Sequence, residues 1–414
     1  MNLCIQRRGL QPWFRRVDQT TIDFEESTED AMEVFHKVRD QPYDIINGPL
    51  WLCRMVRVPD GEANPRGITA KFHTMVVFGI HHSITDASTN LFICNEFIGI
   101  LNDILRGRQI VDRPCPFSLQ HAEKITNTPR SYLMKIFIKR FYKLLILDFT
   151  KRTTFDGIIP LPKYSAAETS TISHIFDEKT TQSLLKICKE NKTTVHACIL
   201  TAVNAAYLDV VNSKSKKRVD SIDIFYIDCI DLRRYYPNNP SDVPYLGCHI
   251  TLHEQQTVAS TQSSKNNFWH TTRALKMALH EDINDKQCIK ILPFLRYGAI
   301  LFPINYLRNK NKTSNMTDCH YITTNMGDCT KSMDASIDPS DPVQVTDIFR
   351  SVSGEISGHY FVLTFHTFRK RLYVSFDYFT NKMSAEQASS LFENMKANLF
   401  RVAENGSLTS ISEV

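Results

Sequence analysis

Several familiar signatures are missing from this chain, and each absence closes a class. None of its 11 cysteines stands in a CxxC pair, and their number is odd. The opening stretch, MNLCIQRRGLQPWFRR, lacks the apolar core of a secretory signal. Together these point to free thiols in a reducing, cytosolic compartment. Without secretion, the N-x-S/T triplets at Asn191, Asn311, Asn315 and Asn405 are coincidental. No uncharged apolar run reaches the roughly 18 residues that a bilayer-spanning helix needs. Charge of one sign is scarce: 49 Lys and Arg against 44 Asp and Glu leave +5, too little and too dispersed to argue for nucleic acid. The densest basic cluster, SKSKKR at 213–218, lies where a helix should end and reads as a solvated loop. Low-complexity tracts and short-period repeats are missing too.

What is present is an ordinary globular composition, 42% hydrophobic and 22% charged. At about 150 residues per domain, 414 residues predict two or three domains, enough to bury cores without staples. GPLWLCRMVRVPD (48–60) and ITAKFHTMVVFGI (68–80), separated by the turn-rich GEANPRG, read as a hairpin or neighbouring strands. Beyond Asp86, the spacing of Leu91, Cys94, Ile98, Leu101 and Leu105 predicts an amphipathic helix. Ser83, Thr85, Ser88 and Thr89 lie in the connection before it and are its candidate caps. Residues 150–173 read as a linker. Beyond it come two successive helices within 177–211, a strand at 221–232, a hairpin at 359–379 and a C-terminal helix opened by Ser384 and Gln387. Strands and helices intermix in both halves, an α/β or α+β pattern. SYLMKIFIKRFYKLLILDF (131–149) places Lys135, Lys139 and Lys143 on one helical face opposite an apolar one. It reads first as a surface helix packed on its own domain and second as a peripheral membrane contact.

The stretch FGIHHSITDAST (78–89) ends an apolar strand with His81 and His82 and sets Asp86 four residues further on. Three chemistries use such a pattern. A catalytic zinc needs three protein ligands, and neither HExxH nor a Cys/His cluster supplies them, so no metal is expected. A nucleophilic triad needs an elbow, and no G-x-S-x-G is present. An imidazole acting alone as general base needs neither, and imidazole as a class titrates near working pH.

HHSITDA resembles the HHxxxDG signature of the chloramphenicol-acetyltransferase-like superfamily. That superfamily includes nonribosomal peptide condensation domains, alcohol O-acetyltransferases and phthiocerol dimycocerosyl transferases; the last two types resemble this chain most. Further elements follow in the family's order: QPYDIINGPLWLCRMVR (41–57), TTVHACILTAVNAA (193–206), DCIDLRRYYP (228–237), YLGCHITL (245–252), YITTNMGD (321–328) and the closing strand and helix. The likeness spans about residues 41–400.

The resemblance implies an α/β fold of two lobes, 1–160 and 161–414, in a V-shaped pseudodimer with the active site in a tunnel between them. It implies an acyltransferase in which His82 deprotonates an alcohol that attacks a thioester directly, with no covalent acyl-enzyme. The donor is then acyl-CoA or an acyl carrier protein thioester, and no bound cofactor is needed. Asp86 becomes a structural partner of Arg233, His81 a support of the turn, and Ala87, Thr324, Asn325 and Gly327 parts of the tunnel wall. Partners are small molecules, and the expected state is a cytoplasmic, monomeric or membrane-peripheral enzyme. Two departures stand out: Ala87 replaces the motif's last glycine, and family members carry a strand and helix before the point where this sequence starts. Those departures favour a catalytically silent, tunnel-bearing binding protein as the alternative. A free-standing condensation enzyme that forms an amide from carrier-bound substrates is another.

Overall fold

The computed structural model describes residues 3–8, 11–17, 22–58, 72–110, 168–215, 217–236, 246–260, 268–290, 292, 319–336, 338–354, 359–406 and 408. The basic segment 131–149, the turn-rich stretch 61–67 and the expected boundary at 160 lie outside the described residues, and the expected linker 150–173 is overrun at its end by a strand, Thr169–Ile175. The chain forms two compact units. The first comprises Met1–Leu119, Pro237–His249 and Ser332–Ile348, and the second comprises Gln120–Tyr236, Ile250–Lys331 and Phe349–Val414.

In the first unit, β1 (Leu3–Arg8) and β2 (Gln11–Arg16) form an antiparallel hairpin. A second sheet runs in the order β3 (Phe24–Ser27), β4 (Trp51–Val58), β5 (His73–Ile80), with β3 parallel to β4 and β5 antiparallel to it. Helix α1 (Ala31–Asp40) is capped by Asp30, whose carboxylate accepts from the amides of Met32 and Glu33 at 2.9 Å. Its Val34 and Val38 close over Leu52, Val56 and Val77, a small core. Gly79 of β5 makes this approach possible: a Cβ there would stand 2.8 Å from Val38 Cγ1 and 2.9 Å from the Tyr43 hydroxyl. Helix α2 (Ala87–Leu105) follows the site loop. Leu91 and Ile98 of its predicted stripe are buried, but Leu105 is 57% exposed, so the stripe holds only over the first turns. The later stretch 332–348 is tied along α2. Asn102 exchanges both its amide groups with the backbone of Val343, and Arg106 pairs with Asp341 at 2.6 Å.

The second unit is built on a six-stranded mixed sheet in the order β6 (Thr169–Ile175), β11 (Arg371–Phe379), β10 (Phe361–Phe368), β9 (Tyr321–Asp328), β7 (Ser221–Asp231), β8 (Ile250–Ser260). Strands β7, β9 and β10 are parallel at its centre, which requires cover on both faces. Helices α3 (Glu178–Glu190), α4 (Val195–Lys214), α5 (Phe268–Asn284), the one-turn α6 (Gln287–Lys290) and α7 (Ala385–Asn405) belong to this unit. Helix α4 is apolar nearly all round because it is buried nearly all round, packing against α5 and α7. It is the one helix among the described residues long and apolar enough to cross a membrane, and 78% of that window is buried inside the protein. A stack of rings crosses the strands: Tyr226 on Tyr321 at 5.2 Å, Tyr321 on Phe361 at 5.1 Å, and Phe361 on Phe376 at 4.1 Å. Each such pair adds about 0.5–1.5 kcal/mol to area burial. The expected capping box of α7 is formed, with Ser384 and Gln387 each bonding the other's backbone amide.

Candidate active site

The stretch quoted from 78 to 89 folds as strand, one tight turn, then helix. Strand β5 ends at Ile80, a 3₁₀ turn takes His82–Ile84, and α2 begins at Ala87. His81 turns back on the loop: its Nδ1 lies 2.7 Å from Ser83 Oγ, and its ring meets Tyr43 edge-on at 5.5 Å. Burial, and secondarily the adjacent His82, hold the His81 imidazole below its usual pKa. His82 points the other way and is exposed. Its Nδ1 lies 3.6 Å from Cys248 Sγ.

Asp86 is the anchor of the loop. It is 4% exposed and is the N-cap of α2, where one oxygen accepts from Thr89 N at 2.9 Å. The cap is therefore the carboxylate itself and not one of the neighbouring hydroxyls. The other oxygen accepts from His249 N at 2.7 Å. Thr89 completes the clamp, donating its hydroxyl to Gly247 O at 2.8 Å and accepting from Gly247 N at 3.1 Å. The segment 246–249 is thus stitched across the start of α2, and this places Cys248 beside His82. The resemblance makes YLGCHITL (245–252) a Gly-containing strand. Its first residues instead form this clamp, and β8 begins at Ile250.

Arg233 belongs to the second unit. It is 5% exposed there and donates from Nη1 to Asp231 at 3.1 Å.

Ala87 is the half-buried first residue of α2. The other three expected wall residues lie on β9. Asn325 and Gly327 line a pocket of about 720 Å³ at the carboxyl ends of β7, β9 and β10. Thr324 lies on the opposite face of the strand, as alternation requires. Gly327 has φ +69°, and a Cβ there would meet nothing within 4 Å, so glycine serves the backbone conformation and not space. Deep in the same pocket, His196 Nε2 lies 3.1 Å from Asp228 Oδ1, and Thr323 donates its hydroxyl to that same oxygen. Asp228 is 2% exposed, and its Oδ2 has no partner. No motif announced this pair, because its members come from α4, β7 and β9. Among the described residues no three His, Cys, Asp or Glu side chains gather as a metal site.

Neither a family model nor a curated protein matches the sequence. Solved structures do. The TRI3 trichothecene 15-O-acetyltransferase from Fusarium sporotrichioides superimposes with TM-score 0.68 at 11% identity, over 97% of this chain and 82% of that one. The epimerization domain from the third module of tyrocidine synthetase B gives 0.61 at 14%, over 97% and 85%. Polyketide synthase associated protein 5 from Mycobacterium tuberculosis gives 0.58 at 10%, over 98% and 87%. The chain therefore has the mixed α/β fold shared by condensation domains and chloramphenicol-acetyltransferase-like enzymes.

Proposed function

We propose that the protein is an acyltransferase that moves an acyl group from a thioester to an alcohol, with His82 as the general base. The observation that carries this reading is the exposed His82 imidazole, presented by a loop that Asp86 fastens on both carboxylate oxygens. The Nδ1 face of the ring is occupied by Cys248, which leaves Nε2 to take the acceptor's proton. A rigid loop matters because proton transfer depends on holding the base within hydrogen-bond reach of the acceptor. Acyl-CoA is the donor we favour. Asn325 and Gly327 are assigned to substrate contact within their own pocket, and Ala87 to the wall beside the motif.

A second reading is amide formation by condensation, favoured by the condensation domains among the fold's relatives, such as that of the Monacolin K polyketide synthase MokA. Thiol release from acetyl-, octanoyl- and palmitoyl-CoA, with panels of alcohols and of amines, separates the two. Alcohol-dependent release that disappears in His82→Ala supports the first reading, and amine-dependent release supports the second. No acceptor-dependent release from any donor would leave a silent binding protein.

A further inference from the structure

The pocket at the carboxyl ends of β7, β9 and β10 lies wholly within the second unit. Its inner end holds a carboxylate with only one oxygen in use. Asp228 is 2% exposed, and its Oδ1 meets His196 Nε2 at 3.1 Å and accepts the Thr323 hydroxyl. Its Oδ2 has no partner among the described residues. A buried charged acceptor without a donor is costly, because hydrogen bonds to charged groups are the strong ones. The inner end of the pocket therefore calls for a hydrogen-bond donor.

The outer wall has the opposite sign. Lys189, Lys192 and Arg234 line it at exposed positions, and Lys276 at a half-buried one. Lys276 is held at the corner between α3 and α4, where its Nζ donates to Lys192 O at 2.9 Å. Helix α4 opens onto the same wall. Its N-cap Thr194 accepts from Ala197 N at 3.2 Å, and Thr194, Val195 and His196 all line the pocket. The start of a long helix favours an anion, through its open amides and its dipole. The lining residue His280 registers this field: burial, then the charges of Lys276, Arg234 and His196, hold its imidazole below the usual pKa. The two other lining carboxylates are engaged, Asp231 with Arg233 at 3.1 Å and Asp328 with the amide of Thr330 at 3.0 Å.

A ligand that satisfies both ends carries a donor and an anionic group. A charged amine is a poor donor here, because the basic wall repels it, whereas a hydroxyl is neutral. Phosphate suits the wall better than carboxylate, since it brings more charge and more acceptor oxygens to several cations and a helix start. We propose that this pocket binds a small phosphate ester with a free hydroxyl, the phosphate at the basic wall and the hydroxyl donating to Asp228. A volume of about 720 Å³ is that of an ordinary small-molecule site. This ligand class deepens the substrate contact assigned to Asn325 and Gly327 and rests on that assignment. It does not depend on the base at His82.

The test reads binding without turnover. Glycerol 3-phosphate, and propyl phosphate as the ester lacking hydroxyls, are titrated calorimetrically into the full chain with no thioester present. The wild type should bind glycerol 3-phosphate at least tenfold more tightly, because a site built for a hydroxyl rejects the analogue without one. Asp228→Asn keeps an oxygen for His196 and Thr323 and replaces the unpartnered one with an amide. It should bring the two esters within about threefold of each other. The pair Lys189→Gln and Arg234→Gln, both at exposed positions, should weaken both esters about tenfold and keep the preference, so the proposal stays open to refutation even if Asp228→Asn does not fold. No binding of either ester, equal binding of both by the wild type, or a preference unchanged in Asp228→Asn overturns the proposal. Desulfo-CoA that binds more tightly than glycerol 3-phosphate and displaces it gives the pocket to the thioester donor, and that too overturns the small ester. Any of these failures leaves acyl transfer by His82 standing, since that reading is decided by thiol release. Ester binding without thiol release removes the acyltransferase reading alone.

Discussion

Two histidines in this chain occupy contrasting settings. His82 stands exposed on the six-residue connection 81–86 in the first unit, its Nδ1 turned to a thiol. His196 is embedded in the second unit, its side chain 13% exposed, facing a carboxylate and a phenylalanine ring 5.4 Å away. His82 and Asp86, four apart in the chain, meet different groups: Nδ1 of His82 lies beside the Cys248 thiol, and the Asp86 oxygens accept from the amides of Thr89 and His249. His196 does meet a carboxylate, that of Asp228, 32 residues away. Proximity along the chain therefore says little about which groups share a proton. An exposed imidazole can exchange protons with substrate, whereas a buried one held by a carboxylate is first a structural element.

The contrast can be broken by mutation. His82→Ala should lower the acyl-transfer rate by about 10²–10⁴-fold and leave urea denaturation unchanged, since an exposed ring contributes little packing. A variant that unfolds earlier would move His82 into the structural class. Asp228→Ala should do the reverse, lowering stability by about 3 kcal/mol because it leaves His196 and the Thr323 hydroxyl without their buried acceptor. If denaturation were unaffected while turnover collapsed, the His196–Asp228 pair would be part of the chemistry.

A pH series sharpens the same comparison. His359 of the second unit is 6% exposed, and burial, followed by the charge of Lys382, lowers its pKa from 6.5 to about 4. The folded protein keeps this ring neutral where the unfolded chain protonates it, so the unfolded state binds more protons across that window. Stability should be full above pH 6.5 and fall by about 3 kcal/mol as pH drops to 4. His359→Gln should flatten that slope, as read from urea midpoints at pH 7 and 4.5; an unchanged slope assigns the acid sensitivity elsewhere. The smallest effect expected is at Asp86. Asp86→Asn keeps one acceptor oxygen and loses the other, so it should cost about 1–2 kcal/mol and lower activity through the loop. Full stability with activity lost would make Asp86 a participant in proton transfer.

Much of the fold could be read from local pattern. The paired strands 51–58 and 73–80, the helix pair broken at Asn191–Thr194 and the capping box at Ser384 all follow from side-chain period and caps. So does the hairpin at Arg369–Lys370, although neither residue is a glycine and both have positive φ, 46° and 64°. Where pattern failed, the missing information was long-range. Leu105 continues a helical stripe whose core ends before it, and Gly247–His249 reads as strand but is drawn off by Thr89 and Asp86.

By itself, the sequence determined that His81, His82 and Asp86 share one turn between a strand and a helix, because four residues cannot separate them far. It also determined that Asp86 would stand where the helix opens. Only the tertiary structure decided what each of these groups faces. Cys248 comes to His82 across 166 positions, and Asp228 meets Thr323 across 95, through backbone stitches and sheet register that no local spacing encodes. A hydrogen bond depends on distances of a few ångströms, and for residues so far apart in the chain those distances are fixed only when the elements between them have packed.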